Sequence, residues 1–277
     1  MGVEQIIRGY FDAAQDYKRN REEYVTAKAQ YDKKKKGTPP VPVAQNLRYD
    51  VLNDIIDGKV LVHCHSYRAD EILMLMRVFK DYGIKNYTFQ HGNEAFKVAK
   101  ELKENGAYTS VFSDWWAYKF EVYYSTAYNA SILNANGVIN SINSDDNELI
   151  RHLNHEAAKT IRYGSTSQQD ALKMITIHPA IQLGIDDRVG SLEVGKDGDV
   201  VIWSGNPLSI YSKVEKTFVD GMKYFDLEKD EADMRISVDA SDDYESAAMF
   251  TDHLTGREYD ACLQDTFILF EEQSFQQ

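Results

Sequence analysis

Residues 59–91 read "KVLVHCHSYRADEILMLMRVFKDYGIKNYTFQH". The opening "KVLVHCH" has the pattern of a strand, in which alternation places Leu61, His63 and His65 on one face and Val62 and Cys64 on the other. "ADEILMLMRVFKDYG" spaces its apolar residues as a helix does and stops at Gly83. "NYTFQH" is strand-like again and also ends in a histidine. A strand, a helix and a second strand within 33 residues make a right-handed parallel crossover. The His–x–His ending leaves two readings open: a satisfied core or edge histidine, or a pair of ligands.

The same rhythm continues downstream. "NEAFKVAKELKENG" is helical, "AYTSVFSD" is a strand, and a helix follows within "YKFEVYYSTAYNASILNANG". "VINSINSD" is the fourth strand, and "NELIRHLNHEAAKTIRYG" its helix. Four strand–helix units, each closed by glycine, imply an α/β fold, either a doubly wound sheet or part of a (β/α)8 TIM-like barrel. No strand is followed by a glycine-rich phosphate loop of the common types, which argues against a nucleotide-binding sheet.

Outside this core, residues 6–36 read as one helix whose apolar stripe thins after Tyr17, so its second half is expected to be solvated. The run from Lys33 to Lys36 reads as a solvated helix end rather than a binding patch. "GTPPVPVAQ" is an extended connector, because its prolines forbid helix, and "NLRYDVLNDIIDG" is a short helix. After Gly164, "STSQQDALKMITIHPAIQLGI" follows, with Ser165 or Ser167 as the expected N-cap. "VGSLEVGKDGDVVIW" and "VEKTFVDGMKYF" read as short strands with glycine turns, a small β appendage.

A chain of 277 residues, 43% of them hydrophobic, buries a real core. Its net charge of −13 is local. Residues 226–277 carry 15 acidic and 3 basic groups, which leaves 29 acidic against 28 basic in residues 1–225. Nothing in that balance suggests nucleic-acid binding. No apolar stretch approaches the roughly 20 residues of a membrane span, and "MGVEQIIRGYFDAAQDY" has no signal-peptide pattern, so a soluble chain without membrane contact is expected. Two cysteines, Cys64 and Cys262, are too few for a disulfide framework.

The strand ends carry the chemistry. The first ends at His65, the second at His91, the third in "SDWW" with Asp114, and the fourth at Asp145. In a parallel barrel these ends open on one face, where such folds build active sites. His152 and His155, one helical turn apart, read as surface residues, and His178 before Pro179 as structural. "SDDNELI" is also a good helix start, so Ser144 or Asp146 has a capping role available.

"HSYRADEI", "FQHGNEAFKVAKEL", "SDWWAYKFEVYY", "INSDDNELIRHLNHEAAKTIRYG" and "HPAIQLGIDDRVGSLEVGKDGDVVIWSGNPLS" together resemble the amidohydrolase superfamily, near its imidazolonepropionase-like and dipeptidase-like branch. The resemblance covers about residues 1–226, and "DDRVGSLEVGKDGDVVIW" is its most specific piece. It implies a distorted eight-stranded barrel with a small β-sandwich, holding one or two divalent metals, usually zinc. The ligands it implies are a His–x–His pair on strand 1, often a carboxylated lysine on strand 4, histidines on strands 5 and 6, and an aspartate on strand 8. Counting back from "NSD", Asp145 matches strand 8, His91 strand 6 and His65 strand 5, with His63 deeper on the same face.

On this resemblance the chain is the C-terminal half of such an enzyme. Residues 1–58 are a helical segment and connector, 59–185 a half barrel, 186–226 a β-sandwich portion and 227–277 an acidic tail. His65, His91 and Asp145 are the implied zinc ligands, Asp145 and His91 the implied catalytic pair. Tyr67, Arg68, Trp115, Trp116 and Lys119, just beyond strand ends, are the expected substrate contacts. The implied function is metal-dependent hydrolysis of C–N bonds in a small cyclic amide or dipeptide-like substrate, with the chain inactive alone. A non-catalytic half-barrel interaction module is the alternative. Two open sheet edges and an apolar inner face are expected to favour self-association or pairing with a complementary half-barrel.

Overall fold

The structure, a computed structural model, describes residues 2–229. The expected acidic tail over residues 227–277 therefore lies almost entirely outside the described residues. Residues 1–224 form one compact unit. Among the described residues no helix is long and apolar enough to cross a membrane.

Helix α1 runs unbroken over Gly2–Lys34, and its buried residues Phe11, Ala14 and Tyr17 occupy only the middle of it. Their three-residue spacing makes one stripe, and α2 (Leu47–Ile56) packs on α1 there. Two polar contacts fix the pair. The Tyr17 hydroxyl donates to Asp50, and the Asn53 amide donates to the Ala14 carbonyl at 2.8 Å.

Four parallel strands follow in sequential order: β1 (Val62–Ser66), β2 (Tyr87–His91), β3 (Tyr108–Val111) and β4 (Asn140–Ile142). Their registers pair Cys64 with Phe89, Phe89 with Thr109, and Val111 with Ile142. Alternation sends Tyr87, Phe89, Val111 and Ile142 to one face, where they join the apolar core with Ile72, Leu75, Phe79, Leu102 and Leu133. These come from α3 (Ala69–Asp81), α4 (Ala99–Asn105, entered through a 3₁₀ turn at Ala95–Val98) and α5 (Asn129–Ala135). Helix α3 shows why sequence and packing agree: Ile72, Leu75, Met76 and Phe79 recur at helical spacing and are all buried.

The other face of the sheet is polar, not apolar as expected. His63, Thr88, Gln90, Ser110 and Ser141 share it by register. Helix α8 (Ile177–Leu183) is joined to it by hydrogen bonds. Its Gln182 accepts from the Ser141 hydroxyl at 2.8 Å, donates to the Thr109 carbonyl at 2.8 Å, and its main-chain carbonyl accepts from His63 at 3.1 Å. A buried polar group costs free energy unless it is bonded, and on this face His63, Gln90, Ser110 and Ser141 are bonded while the Thr88 hydroxyl has no partner among the described residues.

Helix α6 (Leu153–Gly164) and α7 (Gln168–Lys173) lead into α8. Ser167 is the N-cap of α7, with its hydroxyl accepting from the Asp170 N–H, while Ser165 has a left-handed backbone that ends α6. The appendage is a three-stranded sheet in the order β5 (Val200–Trp203), β6 (Val214–Val219), β7 (Met222–Asp226). The "SLEV" part of the expected first strand is irregular instead, and the strand begins only at Val200.

Candidate active site

Two strand ends break the regular backbone. His91 closes β2 with φ +71°, followed by Gly92 at +41°, and Asp145, three residues beyond β4, has φ +48°. Non-glycine residues adopt this region rarely and at a cost of order 1–3 kcal/mol. Gly92 is a tight site: a Cβ would lie 3.3 Å from both the Ala95 Cβ and a Val111 methyl, which would have to give by a few tenths of an ångström. The paired left-handed residues turn the chain sharply and bring the His91 ring to β1.

There its Nε2 meets the Nδ1 of His65 at 2.7 Å, with the ring centres 4.6 Å apart. The His91 ring is buried, stacked near parallel on Tyr67 at 5.1 Å and on Phe112 at 4.9 Å. Burial pushes the His91 imidazole below its ordinary pKa. The Asp145 carboxylate pulls it back up, while His65 and Lys119 push it further down. Asp145 thus acts on His91 through space, and both belong to one electrostatic site.

The expected substrate contacts fall into three groups. Tyr67 and Lys119 join the site: the Lys119 ammonium donates to the Tyr67 hydroxyl at 3.0 Å and lies 4.1 Å from its ring centre. Trp115 helps build its wall, with its indole N–H donating to the Ser144 carbonyl at 2.9 Å. Arg68 turns away into a two-pronged pair with Asp70, and Trp116 is exposed. Asp114 pairs with Lys159, which also binds Glu156.

His63 is a support. Its Nε2–H donates to the Gln182 carbonyl, and its Nδ1 accepts from Gln90 at 2.9 Å. His178 is also structural, donating from Nδ1 to the Asn140 carbonyl at 2.8 Å. His152 and His155 stack on each other at 5.3 Å. Phe112 is the contact sequence reasoning missed, because a phenylalanine ending an apolar strand carries no chemical signature. A cavity of about 490 Å³ is lined by His65 together with Val3, Ile7 and Met74, but by neither His91 nor Asp145. It is a groove beside the site.

Whether these residues fit a metal follows from their donors. Two imidazole nitrogens aimed at one point are a usual pair of zinc donors; on a tetrahedral ion they would stand roughly 3.3 Å apart, so a small opening of the 2.7 Å contact admits one. Asp145 adds a carboxylate near His91. Among the described residues no group of three or more His, Cys, Asp or Glu side chains closes into a metal cage. The buried His91 Nδ1 also has no hydrogen-bond partner, whereas ligating histidines normally donate from their second nitrogen. The donors fit a metal, and their support is incomplete.

Residues 22–225 match the amidohydrolase family model. The amidohydrolase tasK of Hapsidospora irregularis is 27% identical over 188 residues, covering 66% of this chain and 19% of its own length. An amidohydrolase from Thermotoga maritima MSB8 superposes with a TM-score of 0.69 at 31% identity, over 82% of this chain and 56% of that one. An adenosine deaminase from Xanthomonas campestris, with bound zinc, shares the fold at a TM-score of 0.50 and 16% identity, over 74% of this chain and 56% of that one. The chain thus spans about a fifth of the curated relative and just over half of the Thermotoga protein.

Proposed function

The chain belongs to the amidohydrolase family, and from that premise we propose that it supplies part of a metal-dependent centre hydrolysing C–N bonds in cyclic amide or dipeptide-like substrates. The single observation that carries the reading is the meeting of His65 Nδ1 and His91 Nε2 at the carboxyl ends of adjacent parallel strands. In this reading β1 to β4 are strands 5 to 8 of an eight-stranded barrel, and the three-stranded sheet is a portion of the family's β-sandwich.

His65 and His91 would hold the metal, with Asp145 beside them. When bound, a divalent ion such as zinc supplies a water acidified toward a pKa of about 7 and a Lewis acid for the scissile carbonyl. Asp145 takes the water proton and returns it to the leaving nitrogen. Tyr67 and Phe112 hold the His91 ring in place by stacking and exclude water from it. With no acceptor on His91 Nδ1, the chain alone is expected to hold zinc weakly and turn over slowly or not at all.

A non-catalytic interaction module is the second reading. It is favoured by the aromatic loop after β3, where Trp116, Tyr118, Phe120, Tyr123, Tyr124 and Tyr128 are all exposed. Equilibrium dialysis with zinc, paired with hydrolysis of a dipeptide and cyclic-amide panel, separates the two. Weak zinc binding that His65→Ala and His91→Ala both abolish supports the partial centre. Zinc binding indifferent to both substitutions would sink it, and tight stoichiometric zinc with turnover would show the centre to be whole.

A further inference from the structure

Of the basic side chains that follow the strand ends, three are neutralised. Arg68 pairs with Asp70, Lys97 with Glu94, and Lys159 with both Asp114 and Glu156. Lys119 differs. It is half-buried, and among the described residues no carboxylate lies within ion-pair distance of its ammonium. Asp145 acts on the neighbouring His91 but makes no ion pair with Lys119.

The loop holds Lys119 in this position. Trp115 and Ala117 have left-handed backbones, and the Trp115 indole is tied to the Ser144 carbonyl. The Ala117 N–H donates to the Val122 carbonyl at 3.4 Å, closing the loop that returns Lys119 to the site. The ammonium meets the Tyr67 hydroxyl at 3.0 Å and lies 5.3 Å from the Tyr118 ring centre. Tyr67 in turn stacks on His91. A cation held by a neutral phenol and by ring faces keeps donors to spare, and a partly buried ammonium gains from a counter-charge.

We propose that Lys119, steered by Tyr67 and Tyr118, is the anchor for a substrate carboxylate, so that the centre takes N-acyl amino acids and dipeptide-like acids in preference to neutral amides. The inference rests on the amidohydrolase reading and narrows its substrate class. Its geometry is simple: the carboxylate docks on Lys119 while the scissile amide lies toward His91 and Asp145.

The test compares N-acetylglycine with N-acetylglycinamide, two ligands that differ by one charge, bound to the full chain without metal and followed by ligand-observed NMR. The acid is expected to bind roughly tenfold or more tightly, as suits a charged hydrogen bond. That preference should weaken with salt, vanish in Lys119→Gln and persist in Lys119→Arg. Equal binding, binding of neither, or a preference that survives Lys119→Gln overturns the proposal. If Lys119→Gln melts early, the salt dependence and Lys119→Arg still decide it. Failure of the hydrolase reading is seen separately, as zinc binding indifferent to His65→Ala and His91→Ala with the acid preference intact.

Discussion

The Nδ1 of His65 and the Nε2 of His91 stand 2.7 Å apart, although in the strand register His91 faces Ser66 and His65 faces Gln90. The contact exists because His91 leaves β geometry, and it gives both rings one target. Zinc affinity should therefore depend on them jointly. His65→Ala and His91→Ala should each lower it by at least the roughly 10–100-fold that loss of an outer-shell partner costs, and the double variant by much less than the product. Additive losses in equilibrium dialysis would place the two histidines in separate sites.

Asp145 is assigned the proton. In a preparation that shows turnover, Asp145→Asn keeps the side-chain volume and removes the base, so hydrolysis should fall by about 10²–10⁴-fold with the fold intact. Circular dichroism checks the fold and steady-state kinetics the rate. A loss smaller than about tenfold would move the role to another group.

The three crossovers were legible because α3 carries a clear helical stripe and each strand is short and preceded by a glycine. His65 and His91 were legible as strand ends, but their contact was not. It depends on the left-handed turn at His91 and Gly92, which "HG" alone does not announce. The polar sheet face was hidden for a related reason. Ser141 and Thr109 look like ordinary strand residues until Gln182, 41 and 73 positions away in sequence, bonds the hydroxyl of the first and the carbonyl of the second. Ser165 and Ser167 were equivalent as caps by residue type, and only backbone conformation separates them.

That hub gives a stability prediction. Gln182 is 4% exposed and serves Ser141, Thr109 and His63 at once. Gln182→Leu fills the same space but removes both side-chain bonds. Each buried group left unpaired costs about 1–3 kcal/mol, so the urea midpoint should fall with an unchanged slope. A variant as stable as the parent would show that these bonds contribute nothing net.

His178 makes stability depend on pH. Burial holds its imidazole below the ordinary value, and the hydrogen bond to the Asn140 carbonyl opposes that only in part. Lys173 pushes further down and Asp170 up. A depressed histidine binds fewer protons folded than unfolded, so its contribution is complete above the ordinary imidazole range, near pH 6.5, and is lost as pH falls below it. The melting temperature should drop between about pH 7 and pH 5, and drop less in His178→Asn, which keeps a donor but does not titrate. Parallel pH profiles for the two proteins would remove His178 from the account.

The sheet edges differ, and the open one is where association is expected. On the outer side of β4, the Ile142 N–H donates to the Met174 carbonyl, and the Asn140 carbonyl accepts from His178. That edge is closed. On β1, the Ser66 carbonyl accepts from the Gly92 N–H, so the backbone groups of Ser66 and Cys64 face β2 and those of His63 and His65 face outward. No strand pairs there among the described residues. An open edge is a template for another strand, and sedimentation velocity is expected to show concentration-dependent association of the purified chain. His65→Pro removes an outward N–H without costing a β1–β2 bond, a setting in which an edge strand accepts proline, and should shift the population toward monomer. A compact 31.7 kDa monomer at every concentration would show that β1 is covered, and the pairing of this chain with a second half would then have to be given up.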